Sequence, residues 1–203
     1  MADDVVLYFS PFSRSFSTLW MLEELGTPYR IETVDIGKGD QKAPAYLAIN
    51  PMGKVPAIAV NGAVITETSA ICLYLADRYG YGTFAPRAED PERGPYLRWM
   101  VFSTAVVEPA MALRNAKLDI PARSLGWGAY DDMVTSLLFA LGDKPYLLGD
   151  RFTALDVALG GTIGWGLYNK MLPEAAPLVA YAARIAERPA NKKAGALTFG
   201  AAA

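Results

Sequence analysis

Three short stretches of this chain carry groups that can do chemistry. The first, Ser10-Pro11-Phe12-Ser13-Arg14-Ser15, sets three hydroxyls and a guanidinium between an apolar run and a helical pattern. Hydroxyls at a helix start either cap the helix or donate to an anion, and both readings stand at this point. The second, Lys54-Val55-Pro56, precedes the short apolar run Ala57-Ile58-Ala59-Val60. Proline brings no N–H to a strand ladder. It is therefore either an ordinary trans residue that starts the strand or a cis residue that turns the Val55 backbone out toward a ligand. The third, Glu67-Thr68-Ser69, opens a helical run that ends near Tyr79. It offers free helix N–H groups, hydroxyls and the positive end of the helix dipole, which suit plain N-capping and an anionic ligand alike.

Other chemistries are excluded by what the chain lacks. Its 203 residues include no histidine and one cysteine, Cys72. There is no Ser-His-Asp triad, no Cys-His pair, no imidazole metal ligand and no internal disulfide, and a structural zinc site has no donor set. One cysteine suits a reducing compartment. Cys72 itself lies in an apolar helix and reads as inert packing. A net charge of −2 without blocks of like charge argues against a nucleic-acid partner. No apolar run approaches the roughly 18 residues of a membrane span, and the acidic start Met1-Ala2-Asp3-Asp4 does not read as a secretory signal.

The elements that must position these groups are legible as a pattern. Val5 to Phe9 is a β-rich apolar run, read as a buried strand. Helical spacing begins at Arg14 and stops at Gly26. Tyr29 to Asp35 alternates as a second strand, parallel to the first. A short helical turn near Pro44–Leu47 follows, then the strand Ala57–Val60, the hairpin signal Asn61-Gly62, the strand Ala63–Ile65, and the helix from Glu67. The order β-α-β-α-β-β-α is a thioredoxin-like arrangement. Residues 81–90 read as a linker by their Gly, Pro and charge content. Everything beyond reads as helix: one segment from Pro91 with a kink or break at Pro109, another from about Ala122 to Leu141, a capping box at Thr153 and Asp156, and a last helix ending at Glu187-Arg188-Pro189. The tail from Ala190 either packs or frays.

The block Asn50-Pro51, Gly53-Lys54-Val55-Pro56, Ile65-Thr66-Glu67-Thr68 and Tyr74-Leu75-Ala76-Asp77-Arg78-Tyr79 resembles the glutathione-binding domain of soluble glutathione transferases. The resemblance continues in order through nearly the whole chain, including the Thr153–Asp156 capping box. It implies a thioredoxin-like domain (residues 1–80), a linker (81–90) and an all-helical domain (91–203) that lines an apolar substrate site between the two. It further implies a cytoplasmic homodimer, a glutathione co-substrate, no metal, and a small electrophilic second substrate.

On the same resemblance, Lys54, Val55, Pro56, Glu67, Thr68 and Ser69 bind glutathione. Its cysteinyl amides pair with the Val55 backbone, and its γ-glutamyl carboxylate lies at the helix start. The thiol needs a donor that favours its thiolate. The cysteine-type bacterial members carry a cysteine where this chain has Arg14, so the match is to the bacterial-like, serine-type pattern. Ser13 ranks first as donor, then Ser15, then Tyr8, with Arg14 supporting by charge. Phe12, Val107, Glu108, Met111, Arg114 and Trp165 are the expected lining of the electrophile site. The implied reaction is conjugation of the glutathione thiolate to an electrophile. Glutathione-dependent reduction of disulfides or peroxides, or binding without catalysis, are the alternatives.

Overall fold

The computed structural model describes residues 3–200, which form two compact units: one of the residues up to Gly80 together with those from Arg188 onward, the other Tyr81–Glu187. In the first unit, β1 (Val5–Phe9), β2 (Arg30–Thr33), β3 (Ala57–Val60) and β4 (Ala63–Thr66) make a four-stranded mixed sheet of order β2-β1-β3-β4. β1 is central. It pairs in parallel with β2, Leu7 opposite Ile31, and antiparallel with β3, Leu7 opposite Ile58.

The two inner strands are apolar and buried, while the edge strand β2 (Arg-Ile-Glu-Thr) is exposed throughout, and its charges blunt the open edge. The β3–β4 turn has Asn61 at φ 50° and Gly62 at φ 84°, the pair of positive values that a tight hairpin requires. Helices α1 (Ser15–Leu25), α2 (Pro44–Leu47) and α3 (Thr68–Tyr79) complete the thioredoxin-like arrangement. α1 ends where expected, at Gly26 in the left-handed region.

The second unit is helical: α4 (Arg93–Phe102), α5 (Glu108–Asn115), α6 (Tyr130–Leu141), α7 (Ala154–Tyr168) and α8 (Ala176–Ala186). Pro109 does not break the chain into separate helices. The five residues before α5, Ser103–Val107, adopt π-helical spacing, with Glu108 N–H donating to the Ser103 carbonyl. A proline has no N–H for the regular ladder, and one wide turn absorbs the mismatch.

α6 is shorter than its apolar pattern predicts. Residues Ala122–Ser124 form only a 3₁₀ turn, and Gly128 at φ 88° cannot extend a right-handed helix. α7 is the buried centre of this unit. Its capping box forms as expected, and Asp156 also accepts from the Leu147 N–H at 3.0 Å and the Tyr181 hydroxyl at 2.9 Å. Gly160 lets α8 approach, because a Cβ there would lie 2.6 Å from the Tyr181 oxygen.

The helical unit runs from Tyr81 to Glu187, so residues 81–90 lie within it and the segment from Arg188 onward does not. The tail folds as α9 (Pro189–Phe199) and belongs to the first unit, where it packs along α1. The reason is charge and shape. Arg188 makes a two-pronged ion pair with Glu24, at 2.6 and 2.7 Å, and Glu24 also accepts from the Trp20 indole at 2.8 Å. Lys193 pairs with Glu23 at 2.6 Å, and Ala194 and Thr198 are buried.

The Glu24 side chain is only 6% exposed, so removal of its partner leaves a poorly solvated carboxylate, at about 2 kcal/mol. Arg188→Ala is therefore expected to speed amide hydrogen exchange in α9 by roughly 30-fold, with exchange in α7 unchanged. Uniform acceleration in both units would show that α9 is not a separate clasp.

Candidate functional site

Strand register alone collects the three chemical stretches of the first unit. Tyr8 lies opposite Ala57, so the end of β1 adjoins the start of β3, and Ala57 lies opposite Thr66, so the end of β4 comes next. The loops Ser10–Ser15, Lys54–Pro56 and Glu67–Ser69 thus leave the sheet at one end, across three adjacent strands. Two strand spacings are about 10 Å, which is the extended length of about three residues.

The first loop is a closed hydroxyl network. The Ser13 hydroxyl lies 2.7 Å from the Ser10 carbonyl, to which it donates, and 2.9 Å from the Ser15 hydroxyl. It accepts from the Ser15 N–H at 3.1 Å, and the Ser10 N–H donates to the Ser15 hydroxyl at 3.3 Å. Ser15 and Ser10 are buried, while Ser13 is partly open. Ser13 is therefore both a cap for the first turn of α1 and the reachable hydroxyl, whereas Ser15 holds it from behind. Arg14 is half-buried in the N-cap position of α1. Phe12, at φ 53°, turns an exposed ring outward next to Ser13. Tyr8 is a half-buried strand residue whose ring meets Tyr46 edge-on at 5.9 Å.

The second loop is pinned by two side chains. The Tyr46 hydroxyl and the Asn50 amide both donate to the Lys54 carbonyl, at 2.6 and 2.9 Å. Asn50 also accepts from the Met52 N–H. Burial raises the Tyr46 phenol above its ordinary range, so the hydroxyl remains a donor at neutral pH. Gly53 is buried at φ 59°, and a Cβ there would lie 2.6 Å from the Gln41 carbonyl. The Val55–Pro56 peptide bond is cis. Pro56 is buried, Val55 is half-buried and the Lys54 side chain is exposed.

The third stretch begins α3. Glu67 sits at φ 67° and ψ 117°, a conformation uncommon for a side chain of this size, and it makes no side-chain cap to the helix. It is exposed, with Thr68 half-buried and Ser69 buried behind it. The first-turn N–H groups of α3 therefore lack the usual capping oxygen from the N-cap residue. Cys72, one turn further, is fully buried, and burial pushes its thiol up to about 12, opposed only by the nearby Arg14 charge.

Of the expected electrophile lining in the helical unit, Val107 and Met111 are fully buried in the core. Both pack inward, and for Met111 it is Gly166 of α7 that leaves room, since its sulfur would lie 2.7 Å from a Cβ there. They are not presented to a ligand. Glu108 is half-buried, and Trp165 is 43% exposed. Arg114 stacks its guanidinium 4.5 Å from the Tyr130 ring, at an open cavity of about 610 Å³ walled by Leu113, Leu118 and Trp127. Tyr46 and Asn50 lie four residues apart around the turn that follows α2, where the Asn50 N–H donates to the Tyr46 carbonyl at 2.9 Å; the sequence holds no local signal that both reach Lys54.

Among the described residues, no group of three or more His, Cys, Asp or Glu side chains is placed to hold a metal ion, and no helix is long and apolar enough to cross a membrane.

A family model described as the glutathione S-transferase N-terminal domain matches residues 9–78. Glutathione S-transferase hmp2 of Hypomyces subiculosus is 42% identical over 166 residues, which are 75% of this chain and 78% of that protein. Glutathione S-transferase 3 of Schizosaccharomyces pombe is 40% identical over 106 residues, 52% of this chain but only 43% of its own length. The disulfide-bond oxidoreductase YfcG of Escherichia coli is 28% identical over 207 residues, 93% of each chain. A solved glutathione transferase homologue from Lodderomyces elongisporus, with two GSH per subunit, superposes with a TM-score of 0.79 at 25% identity, over 96% of this chain and 98% of that one.

The buried thiol gives a direct check. At pH 8 the folded protein should leave an aromatic disulfide reagent unreacted, and one thiol should titrate once the chain is denatured. Rapid reaction of the native protein would mean that Cys72 is accessible and must re-enter any account of the site.

Proposed function

The chain belongs to the glutathione S-transferase family, and on that premise we propose that it conjugates the thiolate of glutathione to small apolar electrophiles. The observation that carries this reading is the partly open Ser13 hydroxyl, fixed at the start of α1 by Ser10 and Ser15. Rotation about its C–O bond redirects the proton from the Ser10 carbonyl to a bound sulfur. Glutathione lies across the three loops. Its cysteinyl amides pair with the Val55 backbone in the manner of an added strand. Its γ-glutamyl carboxylate accepts from the uncapped first turn of α3 and from Thr68, while Glu67 holds the ammonium group and Lys54 a carboxylate.

The chemistry then needs little from the protein beyond orientation and charge stabilisation. The thiol proton leaves to solvent. The sulfur lone pair forms a carbon–sulfur bond, either as a halide departs with its bonding electrons or as an activated alkene takes up a proton at the neighbouring carbon. A hydroxyl hydrogen bond and the α1 dipole favour the thiolate by roughly one to two pKa units. A homodimer is part of the same reading, and exposed Val101 and Phe139 on the helical unit are the kind of surface that a second copy covers.

A second reading, glutathione-dependent disulfide reduction, draws on the likeness to the oxidoreductase that spans nearly the full chain. This chain's one thiol is buried, so that reaction would pass through glutathione alone: thiolate attack on the substrate disulfide, then a second glutathione to release oxidised glutathione and the reduced thiols.

A pH titration of the thiolate absorbance of bound glutathione tests the main reading. The bound thiol should titrate at least one unit below free glutathione, and Ser13→Ala should abolish most of that shift with a roughly 10- to 100-fold loss of kcat. A lowered pKa that survives the substitution removes Ser13 from its role, and no binding removes glutathione altogether. Side-by-side rates with chlorodinitrobenzene and with hydroxyethyl disulfide separate conjugation from reduction. Faster turnover of the disulfide would make the second reading the right one.

A further inference from the structure

The Lys54 carbonyl and the Val55 N–H belong to one planar peptide unit. A group that holds the oxygen therefore also aims the N–H, which points the opposite way. Two donors converge on that oxygen: the Tyr46 hydroxyl at 2.6 Å and the Asn50 side-chain amide at 2.9 Å. Both donors are themselves held. Tyr46 is buried, and its ring meets that of Tyr8 edge-on. Asn50 is buried, and its side-chain oxygen accepts from the Met52 N–H at 3.1 Å. The turn that leads to Lys54 is closed by the Gly53 N–H on the Asn50 carbonyl at 2.8 Å, and by Lys42 Nζ, which donates to the Met52 carbonyl at 3.0 Å. The Val55 N–H, by contrast, donates to no group among the described residues, although Val55 is half-buried. A fixed backbone donor with no acceptor in its own chain suits an acceptor that arrives with a ligand.

We propose that Tyr46 is a positioning residue for glutathione, with Asn50 as its partner: together they aim the Val55 N–H at the cysteinyl carbonyl before the ligand arrives. This rests on the reading of Val55 as the glutathione anchor. Tyr46 acts through Lys54, because its ring is buried and its hydroxyl is occupied by that carbonyl. An unclamped peptide unit would sample several orientations, and the ligand would have to order it; the clamp removes that cost from binding. The thiolate donor, Ser13, sits in a different loop with its own hydrogen bonds. The clamp therefore governs affinity and leaves the proton of the reacting sulfur alone.

The test compares wild type with two variants. Tyr46→Phe keeps the ring against Tyr8 and removes one donor. Asn50→Asp keeps the acceptor for Met52 and removes the other. Glutathione affinity by calorimetric titration should fall about fivefold in each. The KM for glutathione should rise by the same factor, with kcat for chlorodinitrobenzene within about twofold of wild type and the pKa of the bound thiol unmoved. Nitrogen-15 relaxation of the Val55 amide should show added mobility in ligand-free Tyr46→Phe, and saturating glutathione should remove it. A loss of folding alone would not produce that recovery. Unchanged affinity in both variants, a Val55 amide as rigid as in wild type, a shifted thiol pKa, or a fall in kcat as large as the rise in KM would overturn the proposal. A wild type that binds glutathione no better than the two variants overturns this inference alone. A wild type that does not bind glutathione overturns the transferase reading as well.

Discussion

The register of β1 against β3 is the constraint on which the rest depends. A strand's side chains alternate between faces, so a slip of one residue would move every apolar group of β1 to the wrong face. With Leu7 and Ile58 both fully buried and opposite one another, such a slip is heavily penalised. The same register decides which loops emerge together. The end of β1, the start of β3 and the end of β4 share one edge only because Tyr8 meets Ala57 and Ala57 meets Thr66. Core packing thereby positions polar groups that contribute little to it.

Local hydrogen bonds then fix the first two loops. Ser10, Ser13 and Ser15 satisfy one another around a single turn, and Tyr46 with Asn50 holds the Lys54 carbonyl. A main-chain carbonyl that already accepts two donors is held in one orientation, and the adjoining Val55 amide is oriented with it. Pre-set backbone of this kind lowers the ordering cost of ligand binding. Glu67 is held at a positive φ without capping its helix, so its conformation is not explained by helix stability alone.

The helical unit has its own organising centre in Asp156. Burial pushes its carboxyl above the ordinary range, and the donors from Leu147, Thr153 and Tyr181 pull it back. This is a satisfied network that fixes α7 against α8 and the turn before it. Removal of one partner would leave a buried polar atom unpaired, which is why such a network specifies one arrangement so strongly. It has no substrate-facing member, and its role is architectural.

Much of this protein was determined by the sequence itself. The apolar run of β1, the Asn61-Gly62 turn, Gly26 after α1 and the Thr153–Asp156 pair act over a few residues, and short-range physics places them wherever the chain folds. The missing histidine and the single cysteine excluded whole classes of mechanism before any coordinate was needed. Tertiary structure alone decided the rest. Val107 and Met111 have the composition of a pocket lining and of a core in equal measure, and only the folded chain, which buries both and sets Met111 against Gly166, made them core. Ser13 and Ser15 are alike in sequence, and only their burial distinguishes the reachable hydroxyl from its support. The tail from Pro189 to Phe199 has almost no pattern of its own; Glu23 and Glu24, more than 160 residues earlier, give Lys193 and Arg188 their partners. Contacts across that separation leave no local periodicity to read, so the packing of α9 along α1 becomes visible only in the folded chain.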